Sequence, residues 1–407
     1  MLAKPCELDL SELDRTLYVD GRYGRLELLV CSAGRPLAAV SLPCDRVVTA
    51  DRLRREIAAR IGWQLWEEVC APKIGAFVPP EPGRRPAISV VVCTRDRPLS
   101  LETCLAHLSR LEYPAFEVVV VDNGSRRPEV RRIVAASGFR YVREDRVGLD
   151  WARNRGLEEA RHDIIAYIDD DAFASPGWLG GLAEGFEDPA VAAVTGLVLP
   201  AELETEAQLL FEEYGGMGKG LVPRVFNRAT MEARRLAAAH HCGLGTNMAF
   251  RREALERLGR FDTALDVGTP SFGAGDLDMF HRILVSGGAI AYNPAAWVRH
   301  RHRRDMAGLK RQIYSNGRAF GVYLIKIWRT RSMPRSALTR FAAGWAAGWL
   351  LARLFLRLRR KTRFPLGLIW AEIWGALHAP WAYRATYRRD QEVRAAWASE
   401  AAGAALS

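Results

Sequence analysis

Between residues 87 and 169 the sequence predicts an α/β fold, a mostly parallel sheet with helices on both faces. Three observations carry this. "AISVVVC" (87–93), "FEVVVVD" (116–122), "FRYVRE" (139–144) and "DIIAYID" (163–169) are short, near-continuous apolar runs of strand length. Segments with helical character separate them, over 100–111, 127–137 and 150–160. Polar clusters stand at the strand ends, "CTRDRP" (93–98), "DNGS" (122–125) and "DDD" (169–171). Strands apolar along their whole length are buried on both faces, as helical crossovers require. In such sheets ligands bind outside the carboxyl ends of the strands, where these clusters lie.

Ahead of this unit, residues 1–77 read as a small α+β module. "RLELLVCSAGRPLAAVSLP" (25–43) is two apolar runs joined by a hairpin signal. A helix follows over 49–69, with Thr49 or Asp51 as its cap and Leu53, Ile57, Ile61 and Leu65 on one face. Nothing in the module suggests chemistry, and a docking or regulatory role fits it. "VPPEPGRRP" (78–86) is a linker by composition. The main α/β domain then spans 87–305, and 306–407 read as helices. With 407 residues, 49% of them apolar, two or three domains with sizeable cores are expected.

The net charge of +11 is unevenly placed. Arg299 to Lys361 holds 17 Lys and Arg against one acid, Asp305. The rest of the chain is mildly acidic. A uniformly basic nucleic-acid binder would not look like this, so no nucleic-acid partner is expected. The seven cysteines, an odd number, form no CxxC pair, so neither a zinc ribbon nor a disulfide framework is indicated, which points to a reducing compartment. The N-terminus has no continuous apolar run and carries acids, unlike a signal peptide.

Three adjacent carboxylates leaving a buried strand repel one another by several kcal/mol, roughly 4 per pair at an effective dielectric near 20. If the chain stays extended there, Asp169 and Asp171 point one way and Asp170 the other. Two same-side carboxylates are hard oxygen ligands suited to Mg²⁺ or Mn²⁺. A helix cap is the plainer reading, but Ser175-Pro176 supplies a cap for the helix that follows. At the other strand ends, Thr94, Arg95 and Asp96 can contact a base or sugar, and Asp122 can accept from ribose hydroxyls. Arg153 and Arg155 lie on a helix near the same rim, where arginine clamps diphosphates. Gly243 and Gly245, before "NMAF", allow a backbone to approach a ligand closely. Asp276 and Asp278 open a helix. One is expected to cap it, while the other is free to act as general base. "WVRHRHRRD" (297–305) alternates, with His300 and His302 on one face as candidate nitrogen ligands.

Taken together, "VVVCTRDRP", "VVVVDNGS", "GLDWARNRGL", "IIAYIDDDAFASPGWL", "GTNMAFRR" and "GAGDLDMFHR" resemble the inverting, metal-dependent glycosyltransferases of family 2, which have the GT-A (Rossmann-like) fold. The resemblance covers 87–305. It implies that Thr94, Arg95, Asp96, Asp122, Arg153 and Asp169 contact the nucleotide sugar, with Gly245, Thr246 and Asn247 also at the substrate. It implies Asp169, Asp171 and His300 as metal site and Asp276 as catalytic base. Gly275 stands where the family's "ED" motif has Glu, and Asn123 where "DDGS" has a second acid. The implied reaction moves a sugar from a nucleotide-diphosphate donor to a hydroxyl on a glycan or lipid-linked acceptor, with Mg²⁺ or Mn²⁺. Alternatives are a nucleotidyltransferase, which usually shows a Gly-rich loop after its first strand, and a non-catalytic scaffold with a basic tail.

The tail itself is rich in Arg and Trp. "FAAGWAAGWLLA" (341–352) is too short to span a bilayer, and "FPLGLIWAEIWGALHAPWAY" (364–383) contains Glu372, His378 and Pro380. Its composition suits helices lying in a membrane interface, or an amphipathic pair packed on the main domain. A cytoplasmic location, peripheral on the inner membrane face beside an anionic surface, is the expectation.

Overall fold

The structure, a computed structural model, describes residues 1–65, 85–359, 361 and 364–404. The linker expected over 78–86 lies outside the described residues except for its last two, as does the end of the helix expected to reach 69. Within the N-terminal module, β1 (Leu2–Asp9) pairs in parallel with β3 (Tyr23–Ser32), which pairs antiparallel with β4 (Arg35–Pro43). The short β2 (Leu17–Tyr18) and β5 (Val47–Val48) form a separate pair. Helix α1 (Ala50–Leu65) covers this sheet with Leu53, Ile57 and Ile61, and Thr49 Oγ1 accepts from the Arg52 N–H at its start. The parallel β1–β3 pair went unforeseen because "LAKPCELD" has no apolar alternation.

The main domain runs β6 (Ile88–Thr94), α2 (Pro98–Leu108), β7 (Phe116–Asp122), α3 (Glu129–Ser137), β8 (Arg140–Arg143), α4 (Leu149–Glu159), β9 (Ile164–Asp169), β10 (Ala172–Ala174), α5 (Trp178–Gly185) and β11 (Val191–Pro200). It continues through α6 (Glu206–Tyr214), β12 (Arg224–Phe226), β13 (Asn247–Arg251), α7 (Arg252–Arg257), α8 (Gly275–Val285) and β14 (Ala289–His300). The sheet order is β10-β14-β11-β13-β9-β6-β7-β8, with β12 beside β14. Strands β6, β7, β8 and β9 are mutually parallel, as are β11 and β14; β13 runs opposite to its neighbours. Alternate residues feed two cores. Val90, Val92, Val118 and Val120 face one side, and Val91, Val119 and Val121 the other. That two-sided burial is why the strands read as unbroken apolar runs.

Strand direction makes the rim. Strands β6, β7 and β9 bring their carboxyl ends to one edge, and antiparallel β13 brings its amino end there, Asn247 standing opposite Ile168. Strand β14 brings His300, opposite Ala172 of β10. The module docks on the far strands of the same sheet. Trp297 Nε1 donates to the Gly34 carbonyl at 3.1 Å, and Leu29 and Cys31 pack against Leu197 and Tyr292.

After β14 come α9 (Met306–Thr330), then α10 (Arg335–Trp345), a π-helical stretch Ala346–Leu351, α11 (Ala352–Leu358) and α12 (Leu366–Ala404). The twelve-residue apolar run is thus the middle of a 24-residue helical segment, Arg335–Leu358, long and apolar enough by composition to cross a membrane. Helix α9 buries Ile313, Tyr323 and Ile327. Helices α9 and α12 cross closely. A Cβ on Gly317 would lie 2.2 Å from the Glu372 carbonyl oxygen, and one on Gly375 would lie 2.0 Å from that of Tyr314. Only residues without a side chain fit there. Helix α12 continues through Pro380.

Candidate active site

Strand β9 ends at Asp169, and Asp170 and Asp171 form the turn that leads into β10. Asp169 and Asp171 face a common site, and Asp170 turns aside. Asp169 Oδ2 accepts from the Thr246 hydroxyl at 2.7 Å. Asp170 turns toward β6, accepting from the Thr94 hydroxyl at 2.7 Å and from Arg97 Nη1 at 3.0 Å. Asp171 accepts from the same Arg97 nitrogen at 2.9 Å and faces His300 Nε2 at 3.2 Å. Bases that are distant in sequence therefore offset the repulsion. Arg97 is the residue sequence reasoning overlooked, although it sits inside the quoted "CTRDRP". Ser175 does not cap the next helix with its hydroxyl: α5 starts after Gly177 with no side-chain cap, and Trp178 N–H bonds the Ser175 carbonyl.

Burial raises Asp169, with Asp171 adding to the shift, and burial pushes Asp170 up to about 6 despite Arg97. For Asp171 burial works in the same direction, but His300 and Arg97 outweigh it and hold the carboxyl well below the usual range. Burial would lower His300, and Asp171 reverses that. Oxygen and nitrogen atoms of Asp169, Asp171 and His300 lie within 4.8 Å of one another. Two carboxylates and one imidazole nitrogen, all converging, are a donor set that fits Mg²⁺ or Mn²⁺.

A layer behind fixes the imidazole. His300 Nδ1 lies 3.1 Å from His302 Nδ1, and His302 Nε2 lies 2.8 Å from Glu212 Oε1 on α6. If Glu212 accepts a hydrogen bond from His302 Nε2–H, then His302 Nδ1 accepts from His300 Nδ1–H, and His300 Nε2 is left facing the carboxylates. The extended alternation expected through His302 stops at His300, where β14 ends, so His302 takes this supporting place.

Asp276 lies at the start of α8, but neither it nor Asp278 caps that helix. The cap is Ala274, in the left-handed region at φ 85°, with no side-chain bond. Asp278 is instead tied to Arg282 and Lys326. Asp276 accepts from the Gly245 N–H at 2.7 Å and from the Leu277 N–H at 2.8 Å. Gly245 and Thr246 are consecutive, so one dipeptide holds Asp276 with its first residue and Asp169 with its second. Burial raises Asp276, Asp266 adds to this, and Arg153 opposes it.

Arg153 is not a free clamp. It is buried, donating to Asp150 at 2.9 Å and Asp266 at 2.6 Å. Its charge also faces Asp169 and Asp276. Arg155 pairs with Glu159 on the same helix instead. The missing motif acid at 275 has a spatial reason. A Cβ on Gly275 would lie 2.1 Å from Asp150 Oδ2 and 2.6 Å from Asp266 Oδ2. The space a side chain would take is filled by carboxylates from elsewhere in the chain, and Asp266 is the acidic neighbour Asp276 has. No local pattern marks Asp150 or Asp266.

The cavity over this rim measures about 360 Å³, and its lining includes Thr94, Arg95, Asp169, Asp171, Thr246 and His300. Asp96 lines a separate recess with Pro98 and Ser125. Asp122 is buried and accepts from the Ser125 N–H, Tyr141 and Arg143. Asn123 bonds the carbonyls of Glu144 and Arg146 and the Gly148 N–H, bracing the loop before α4. Asn247, expected at the substrate, lies in the core. Wholly buried, it donates to the Leu197 and Ala296 carbonyls and accepts from Trp178 Nε1, so it serves the core and not a substrate.

Residues 89–259 match the family model described as Glycosyl transferase family 2. The chain is 28% identical over 224 residues to the glucosyl-dolichyl phosphate glucuronosyltransferase of Haloferax volcanii, covering 53% of this chain and 69% of that protein. It is 28% identical over 247 residues to the succinoglycan biosynthesis protein ExoM of Rhizobium meliloti, covering 58% and 74%. Among solved structures it is similar to the mannosyltransferase PcManGT from Pyrobaculum calidifontis, in complex with GDP-Man and Mn²⁺. That likeness has a TM-score of 0.52 at 22% identity, over 80% of this chain and 96% of the other, and it bears on the fold alone.

Proposed function

We propose, from the match of residues 89–259 to the glycosyltransferase family 2 model and the GT-A-like sheet, that the chain performs an inverting transfer from a nucleotide-diphosphate sugar to a hydroxyl of a glycan or lipid-linked acceptor. The observation that carries this reading is the Gly245–Thr246 dipeptide, which ties the proposed base Asp276 and the proposed metal carboxylate Asp169 to one rim. Asp276 removes the acceptor proton as the acceptor oxygen bonds to the anomeric carbon. The bond from that carbon to the diphosphate oxygen breaks on the opposite side, and the nucleoside diphosphate leaves. A carboxyl raised by burial and by Asp266 is a stronger base than an ordinary one, as the step requires.

Asp169, Asp171 and His300 would hold Mg²⁺ or Mn²⁺, which as a Lewis acid would stabilise the leaving diphosphate. Arg97 bridges Asp170 and Asp171 and offsets their charge, and Glu212 with His302 holds the His300 ring. Thr94 and Arg95 line the donor cavity, with Asp96 in the neighbouring recess; Asp122 shapes the nucleoside side through the bonds that fix its loop. Arg153 balances the carboxylates around it. Residues 87–305 form the catalytic unit in this reading, and the chain works at the cytoplasmic side of a membrane where lipid-linked acceptors are found.

The test is a panel of nucleotide sugars with Mn²⁺ or Mg²⁺, read as release of nucleoside diphosphate. Metal-dependent turnover of one donor, lost in Asp171→Ala, supports the reading. Release of pyrophosphate instead would move it to nucleotidyl transfer.

A further inference from the structure

Helix α12 packs one face on α9 so tightly that glycines are needed at the crossing. A helix packed this way ordinarily turns a polar face outward. Here the outward stripe is Leu366, Trp370, Trp374, Leu377 and Trp381, at helical spacing over about 22 Å. Trp370, Trp374, Leu377 and Trp381 are 47%, 54%, 63% and 64% exposed. Continuing the same stripe, Arg384 is exposed. Beside its first turns is a groove of about 570 Å³, where Trp370 and Trp374 meet Lys310, Arg311 and Tyr314 of α9. Among the described residues, Lys310, Arg311 and Arg384 have no carboxylate partner. From Met306 to Arg389 the only acid is Glu372, and it is buried, bonded to Tyr214 and Trp349.

We propose that this stripe and its flanking cations dock the protein on an anionic lipid bilayer. Indole rings on one side of a helix, bordered by unpaired Lys and Arg, match the boundary between headgroups and acyl chains. Surplus positive charge with no acid on the surface selects an anionic partner. A convex line of Trp and Leu suits a flat, yielding surface better than a shaped protein groove. The proposal rests on the transfer reading only for what the surface brings near the site, since Gln312 of α9 lines the donor cavity two residues from Lys310.

The test is co-sedimentation of the full chain with phosphatidylcholine vesicles, with and without phosphatidylglycerol. Binding is expected only with the anionic lipid, together with a blue shift of tryptophan emission. The variant Lys310→Glu/Arg311→Glu should weaken binding about thirty-fold or more, at roughly five-fold for each cation removed. The variant Trp370→Ala/Trp374→Ala/Trp381→Ala should abolish the emission shift and most of the binding. Circular dichroism checks that both variants fold. Absence of vesicle binding by the wild type would overturn the proposal, as would unchanged binding by the Trp variant. So would a dimer in solution that the Trp variant disperses, because the stripe would then cover a second copy. Vesicle binding is read without turnover, so its failure leaves sugar transfer standing, and a donor panel that fails leaves the lipid surface standing.

Discussion

The sheet rim and the outward face of α12 are both rich in groups that a protein normally keeps apart, and they treat them oppositely. At the rim, charges are buried or half-buried and pair with one another: Arg97 with Asp170 and Asp171, Arg153 with Asp150 and Asp266, His300 with Asp171. On α12 the apolar rings stand in solvent, and the cations beside them are unpaired among the described residues. Buried charge without a partner would destabilise the fold, so the rim is held together by ion pairs within the chain, to which a bound cation would add. An exposed stripe costs the fold little, so it can wait for something outside. The contrast separates residues whose loss harms chemistry or stability from residues whose loss harms only attachment.

Mutations rank along that contrast. Asp171→Ala should have the largest effect, a loss of activity on the order of 10³-fold or more, since Lewis-acid stabilisation is worth several kcal/mol. Nucleoside diphosphate release measures it, and excess Mn²⁺ should not restore it. Next comes Asp276→Asn, expected to lower kcat by roughly 10²- to 10⁴-fold without altering metal binding. The wild-type pH profile belongs with it. The base must be deprotonated and its pKa is raised, so kcat/KM should fall on acidification through a pKa above the ordinary aspartate value. Glu212→Gln should weaken Mn²⁺ binding by about ten- to a hundred-fold by loosening His302 and His300, although Glu212 touches no substrate in this account. Gly275→Ala should cost about 1–3 kcal/mol of stability, seen as a lower Tm, because its methyl group would meet Asp150 and Asp266. Trp374→Ala should change stability by less than about 0.5 kcal/mol and leave turnover of a soluble acceptor unchanged. A large loss there would break the comparison by making the stripe part of the fold.

Much of the rim was legible in the sequence because strand ends are marked locally. Apolar runs stop at "CTRDRP", "DNGS" and "DDD", and the topology of a parallel sheet gathers them. Features made by tertiary approach were not legible. Arg97 pairs with carboxylates more than seventy residues away. Asp266 reaches the neighbourhood of Asp276 from elsewhere in the chain, and only the space around Gly275 shows why no side chain stands there. The resemblance of "GTNMAFRR" implies a substrate contact for Asn247 with Gly245 and Thr246, yet one step past Thr246 the side chain turns into the core. Similarly, Asp at a helix start suggested a cap, while the backbone places Ala274 there and leaves both acids to other partners. In the tail, composition leaves packing and membrane contact as alternatives. One face of α12 packs on α9, and the opposite face carries the exposed Trp and Leu on which the docking proposal rests.

The most direct test of the central claim is calorimetric titration of Mn²⁺ in the presence of a nucleoside diphosphate. The account predicts one saturable site in the wild type, lost in Asp171→Ala and retained in Asp276→Asn, whose turnover is nevertheless impaired. Equal Mn²⁺ binding by the wild type and Asp171→Ala, or loss of the site in Asp276→Asn, would contradict the division of the rim into a metal-holding side and a proton-accepting side.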